Sequence, residues 1–292
     1  MKQNYVLFTD TDTDITPVIA GEYGYNLIAM PYTIDGKDVF PYRDFKEFEC
    51  HAFYDSLRNG VMPTTSALNA KAYKEYFEPF FRDGKDILYV HFSRAMSGSF
   101  AQMDIAVKEL QAVYPDRKFY AIDTKGITIC SYNIVREVGD MYLQGKSAEE
   151  IMAWSKNEVD KFPTYFFVND LKFFKRSGRV KAMAAIMGNL LGIRPILCMD
   201  SDGLMGPQGK ARGLKGALDK VMEIIDELQE DITKHRIIIG HTDDLKTAQM
   251  LRERIEAKYG SGLQIEMVVV NPTAGSHCGP DGVGVCFHGK HR

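Results

Sequence analysis

Ile87-Leu-Tyr-Val-His-Phe92 leads directly into Ser93-Arg-Ala-Met-Ser97-Gly98-Ser99, and Phe100, Met103, Ala106, Val107 and Leu110 follow at helical spacing. The first run is almost continuously apolar, as a strand covered on both faces must be. The last set marks one side of a helix. Strand, turn and helix in this order predict an α/β fold in which helices cover a buried sheet. Working outward, Tyr5–Phe8, Leu27–Tyr32 and Phe119–Ile122 read as further strands. A helix is expected from Ser66, its N-cap, to Gly84, and another over Ile127–Leu143. Ser147 with Glu150 forms a capping box for a helix running to about Lys161. After Phe162–Pro163 the pattern changes to strands at Tyr165–Val168, Ile193–Met199, Leu204–Met205, Arg236–Gly240 and Leu263–Val270. Helices are expected near Leu171–Lys175, Ala182–Leu191, Leu214–Leu228 and Asp243–Tyr259, then a Gly- and His-rich tail from Asn271. Two units follow, residues 1–161 and 162–292. No Gly- or Ser-rich linker separates them, which predicts a broad interface.

The chain has 292 residues, 45% hydrophobic and 26% charged, with 36 Lys and Arg against 39 Asp and Glu. A net charge of -3 lacks the basic excess of a general nucleic-acid binder. No apolar run approaches the roughly 20 residues of a membrane span, and acidic residues in the opening stretch argue against a signal peptide. Five scattered cysteines suit reduced thiols in the cytoplasm better than a disulfide framework.

Several stretches invite chemistry. Asp10-Thr-Asp12-Thr-Asp14 fails as an EF-hand loop, since Ile15 stands where Gly is needed and Gly21 where Glu is needed. Asp10 as nucleophile with Asp12 as acid/base and Mg²⁺ would make a phosphatase or phosphotransferase. Against this stands a capping turn after a strand, in which Asp and Thr side chains satisfy free N–H groups. Thr64, Thr65 and Ser66 before one helix, and Ser93, Ser97 and Ser99 before another, place six hydroxyls where α/β sheets collect ligands. Gly98 between them would allow close backbone approach. Such a pocket suits a carboxylate or phosphate. Lys175-Arg176-Ser-Gly-Arg179 and Lys210-Ala-Arg212 are basic stretches fit for an anion, an acidic partner or anionic lipid. His277 and Cys278, with Cys286 and His288, match no closed zinc pattern, so no metal site is expected.

In this order the stretches resemble the DegV family, bacterial proteins that bind fatty acids. Thr9–Asp14 matches its Thr-Asp-Ser-x-x-Asp turn, Thr65-Ser66 its Thr-Ser-Gln-Pro segment, and Ser97-Gly98-Ser99 its Ser-Gly-Thr turn. Lys175–Arg179, Lys210–Gly213 and His277–Asp281 match its later motifs. Ala67, Leu68, Ser99 and Asp281 depart from the pattern, and Asp281 would set an acid near His277. The resemblance implies a three-layer domain with a parallel sheet and a second domain packing helices on a mixed sheet, with the ligand between them. It implies a carboxylate held by Thr65 and Ser97 with His277 nearby, and a carrier with no catalysis or cofactor of its own. In some members the bound acid is presented to a separate kinase related to dihydroxyacetone kinases, which makes an acyl phosphate. Loading from a membrane implies transient surface contact. About 0.8 kcal/mol per methylene gives about 11 kcal/mol for roughly fourteen methylenes, before ordering costs. A neutral hydrogen bond adds only ~1 kcal/mol, so the tail sets affinity and the hydroxyls set orientation.

Overall fold

The computed structural model describes residues 4–181 and 192–292; the helix expected at 182–191 lies outside them. Four parallel strands, β1 (Tyr5–Asp10), β2 (Tyr25–Ile28), β6 (Asp86–His91) and β7 (Phe119–Asp123), form a sheet in the order β2-β1-β6-β7. Successive side chains of a strand point to opposite faces. Leu7, Leu88 and Val90 therefore pack with α1 (Pro17–Tyr23), α5 (Ile129–Leu143) and α6 (Ala148–Glu158). Phe8, Ile87 and Tyr89 pack with α3 (Ala70–Arg82) and α4 (Ser99–Val113) on the other side. Both faces are covered, which is why β6 reads as an unbroken apolar run. The expected capping box closes at the start of α6, with Ser147 accepting from Glu150 N and Glu150 accepting from Ser147 N.

A second, mixed sheet runs β10-β9-β8-β13-β11-β12, built from β8 (Thr164–Phe167), β9 (Ile193–Met199), β10 (Met205–Arg212), β11 (Arg236–His241), β12 (Gln264–Val269) and β13 (Val283–Cys286). β11 and β12 are parallel and the other neighbours antiparallel. β13, last of the described strands in the chain, lies inside the sheet. α8 (Gly213–Leu228) and α9 (Leu245–Tyr259) cover one face through Leu218, Val221, Leu251 and Ile255. The other face turns toward the first sheet: Leu197, Met199 and Met205 join the apolar cluster of α3 and α4, and Ile238 and Cys286 join that of α5.

A small antiparallel sheet, β4-β3-β5, comprises β3 (Tyr32–Ile34), β4 (Lys37–Val39) and β5 (Thr64–Thr65). Three short α-helices, α2 (Cys50–Arg58), α7 (Lys172–Ser177) and α10 (Pro272–Cys278), and 3-10 turns at Thr11–Thr13, Arg94–Met96 and Val159–Lys161 complete the described elements.

Local chemistry explains four departures from the expected elements. The helix expected from Ser66 starts at Ala70, because Asn69 accepts from Ala72 N at 2.9 Å, and Thr64 and Thr65 pair instead with Thr33 and Tyr32. The strand expected at Leu27–Tyr32 breaks after Ile28. Met30 N donates to Thr11 Oγ1, Met30 O accepts from Thr273 Oγ1, and Pro31 has no N–H for a ladder. The short strand at Leu204–Met205 extends to Arg212, so the second basic stretch lies on β10. The Gly-rich segment after Asn271 forms α10, with Pro272 in its first turn and Asn271 accepting from Ala274 N.

Candidate functional site

Two chambers adjoin between the sheets. The first has about 570 Å³ of empty space, its open mouth included, and Thr65, Ser66, Ser97, Ser99, Arg179 and His277 line it. The second, about 490 Å³ with its open side included, is walled by Phe166, Val168, Met199, Val270 and Val283, with Gly240, Gly284, Thr128, Thr164 and Thr242. Ile127, Met205 and Cys278 belong to both walls. The first chamber, the vestibule, thus sets its polar groups beside Met30, Phe92 and Met96, and it adjoins the second across three shared wall residues.

The vestibule is assembled from distant segments. β5 holds Thr65, whose Oγ1 lies 2.8 Å from His277 Nε2. His277 sits in the last turn of α10, and Asn271 at the start of that helix donates its N and Nδ2 to Asp14 Oδ1, each at 2.8 Å. Ser97 Oγ accepts from Ser99 N at 3.2 Å and donates to Ser99 Oγ at 3.0 Å. α4 starts here, so the positive end of its dipole lies at the wall. Burial, then the Arg179 and Arg176 guanidiniums, push the His277 pKa down to about 4, which leaves the imidazole neutral at pH 7. The acid expected to perturb His277 is engaged elsewhere, for Asp281 Oδ1 accepts from Arg58 Nη2 at 2.6 Å.

The structure brings Thr65, Ser66, Ser97 and His277 into one wall. Thr64 is exposed, as alternation along β5 requires. Gly98 is not on the wall; its φ is -68° and a Cβ there would meet nothing within 4 Å, so no close approach depends on it. Arg179, read as a partner or anion contact, lines the vestibule and adds a cation beside the hydroxyls. Arg176 donates from Nη1 to Met62 O at 2.6 Å and from Nη2 to Pro63 O, fixing the approach to β5. Arg212 is exposed at the end of β10 and lines neither chamber. Sequence reasoning missed Asp12 and Thr273 as wall residues, although the Asp-rich turn was in view. It also missed the apolar wall, whose residues read as ordinary strand positions.

The acidic turn behaves as a cap. Asp10 Oδ1 accepts from Asp12 N at 3.0 Å, and Oδ2 accepts from the Tyr89 hydroxyl and from Phe92 N. Both oxygens are engaged inside a fully buried residue, a poor arrangement for a nucleophile. Among the described residues, no three His, Cys, Asp or Glu are grouped to hold a metal ion. All five cysteines are unpaired. Among the described residues, no helix is long and apolar enough to cross a membrane.

A family model for the DegV family matches residues 4–290. The chain belongs to the DegV family. A DegV domain-containing protein of Clostridium perfringens is 32% identical over 291 residues, 99% of each chain. A DegV family protein from Thermus thermophilus, described as binding fatty acid, superposes with a TM-score of 0.87 over 98% of this chain and 100% of its own, at 22% identity. A stearic acid-binding protein from Eubacterium ventriosum has a TM-score of 0.85 over 98% of each chain, at 20% identity. Both share this fold.

Proposed function

We propose that this DegV family chain is a carrier for a long-chain fatty acid. The carboxylate rests in the vestibule between the units 1–161 and 162–292, and the tail lies in the apolar chamber. The observation that carries the reading is a vestibule with hydroxyl, imidazole and guanidinium groups on its wall, adjoining a largely apolar chamber across Ile127, Met205 and Cys278. The fatty acids named for the Thermus and Eubacterium relatives support it. In this reading Thr65 donates its hydroxyl hydrogen bond to the carboxylate, and Ser97 turns its hydroxyl from Ser99 Oγ to do the same while still accepting from Ser99 N. Neutral His277 orients Thr65 through Nε2, and Arg179 balances the charge. Ser66 closes the same wall, while Thr64 and Gly98 support their segments without touching the ligand.

The carboxyl end faces the mouth, as presentation to a separate kinase related to dihydroxyacetone kinases requires; phosphorylation is that partner's chemistry, and the carrier needs no cofactor. Arg176 and exposed Arg212 are the cations we assign to that partner or to brief membrane contact in the cytoplasm. Lipid extraction of purified protein is expected to recover long-chain acid. Changing Thr65→Ala together with Ser97→Ala removes two hydrogen bonds to a charged acceptor, about 3 kcal/mol or roughly 150-fold in Kd, with the fold intact. Recovery of no acid, with none bound on addition, overturns the carrier reading. Unchanged affinity in the double variant overturns the head-group assignment.

A further inference from the structure

Ile129 lines the second chamber but not the vestibule, and so do Gly240 on β11 and Gly284 on β13, which are paired in the sheet. A Cβ on Gly240 would fall 2.4 Å from Ile129 Cγ2, and one on Gly284 3.2 Å from Ile129 Cδ1. Ile129 therefore fills a hollow in the chamber wall that exists only because two facing strand residues have no side chain. Its footing is held on both sides, since Thr128 N donates to Asp12 O and Thr128 O accepts from Tyr132 N, each at 2.8 Å. As the first residue of α5, branched at Cβ, it has little rotamer freedom.

A tail that enters from the vestibule gains about 4-fold in affinity for each methylene it buries, until it meets a wall that does not yield. Protein interiors are close-packed, so a further carbon then costs affinity. Ile129 is the wall side chain whose bulk can be changed from either side of one contact. Shortening it empties the hollow over the two glycines into the chamber. Giving Gly240 a methyl adds volume to the same wall, whichever group shifts to relieve the clash. Resting on the carrier reading, we infer that Ile129, seated over Gly240 and Gly284, sets the longest acyl chain this site accepts, the terminal methyl of the bound acid lying against it.

The test is calorimetric titration of the delipidated full chain with saturated acids from tetradecanoic to docosanoic. The wild type is expected to show an optimum length. Ile129→Ala deletes Cγ1, Cγ2 and Cδ1, room for about two methylenes, and should favour the acid about two carbons longer than that optimum by about 10-fold. Gly240→Ala should move the optimum to a shorter acid, and the double variant should return it toward the wild type. A change that merely loosened the protein would alter all affinities together and leave the optimum in place. Should either single variant fail to fold, Ile129→Val, which lacks the methyl over Gly284, decides by a smaller shift toward longer acids. A wild type whose affinity climbs through docosanoic acid, or an optimum unmoved in the Ile129 variants, overturns this inference and leaves the carrier reading standing. A wild type that binds no acid of the series overturns both.

Discussion

Asp14 shows how much of the site rests on one side chain. It holds φ at 61°, a left-handed conformation that Asp and Asn tolerate better than other side chains, and one oxygen fixes the start of α10. Burial raises its pKa to about 7, against the opposing effect of the Asn271 bonds. Between the ordinary value of 3.8 and about 7 the folded state holds a proton that the unfolded state has released. This contribution to stability is fully present below pH 3.8 and is lost as pH rises through about 7. His277 acts in the opposite sense: its pKa falls from 6.5 to about 4, so its contribution is present above pH 6.5 and is lost as pH falls through 4. Asp14→Asn keeps the Oδ1 acceptor and the backbone preference. Its melting temperature should therefore fall less than that of the wild type between pH 4 and pH 7; equal slopes in thermal melts would refute the assignment. Asp14→Ala loses both bonds and meets a left-handed backbone, a cost of about 3 kcal/mol readable by urea unfolding.

Among the elements, α5 and the second sheet fit each other through absent side chains. Gly240 on β11 and Gly284 on β13 are paired residues. A Cβ on Gly240 would fall 2.4 Å from Ile129 Cγ2, and one on Gly284 2.8 Å from Phe166 Cβ. The first residue of α5 thus nests in a dent of the sheet, beside the apolar chamber. Gly240→Ala should lower stability by about 1–3 kcal/mol, and Ile129→Ala in the same chain should recover part of that loss, a non-additivity that a double-mutant cycle measures. If the two changes simply add, the two groups do not oppose each other. The sequence announced β6, α4 and α6 well because their signals are local: an unbroken apolar run, a helical stripe, a capping box. β5 was hidden, since Thr64 and Thr65 look like capping residues and their partners in β3 lie far back in the chain. α10 was hidden because Gly275 and Gly279 mask a seven-residue helix whose true signals are Asn271 and Pro272. The wall residues Thr65, Ser66, Ser97, Ser99 and His277 were legible as motifs. The apolar wall was not, because which face of β8 and β13 borders a cavity depends on how α5 packs there.

At the scale of the whole molecule, the two sheets are tied by charge as well as by apolar contact. Arg136 on α5 pairs with Glu266 on β12 at 2.9 Å, and Arg236 on β11 reaches Glu137 on α5 at 2.9 Å and also binds Asp140. Such half-buried pairs, with apolar clusters that draw on both sheets, predict a single cooperative unfolding transition. The one tryptophan, Trp154 on α6, reports on the first sheet's side, and far-UV circular dichroism reports on the whole chain. Their urea midpoints should coincide; separated midpoints would mean that the halves unfold independently. The position of β13 matters before the molecule is ever finished. On a ribosome β8 emerges long before β11, and both wait with an unpaired edge until β13 clears the exit tunnel and slots between them. Such edges are sticky in a nascent chain. His277 leaves the tunnel only shortly ahead of that last strand, so a half-made copy exposes aggregation-prone surface without yet being able to hold a lipid.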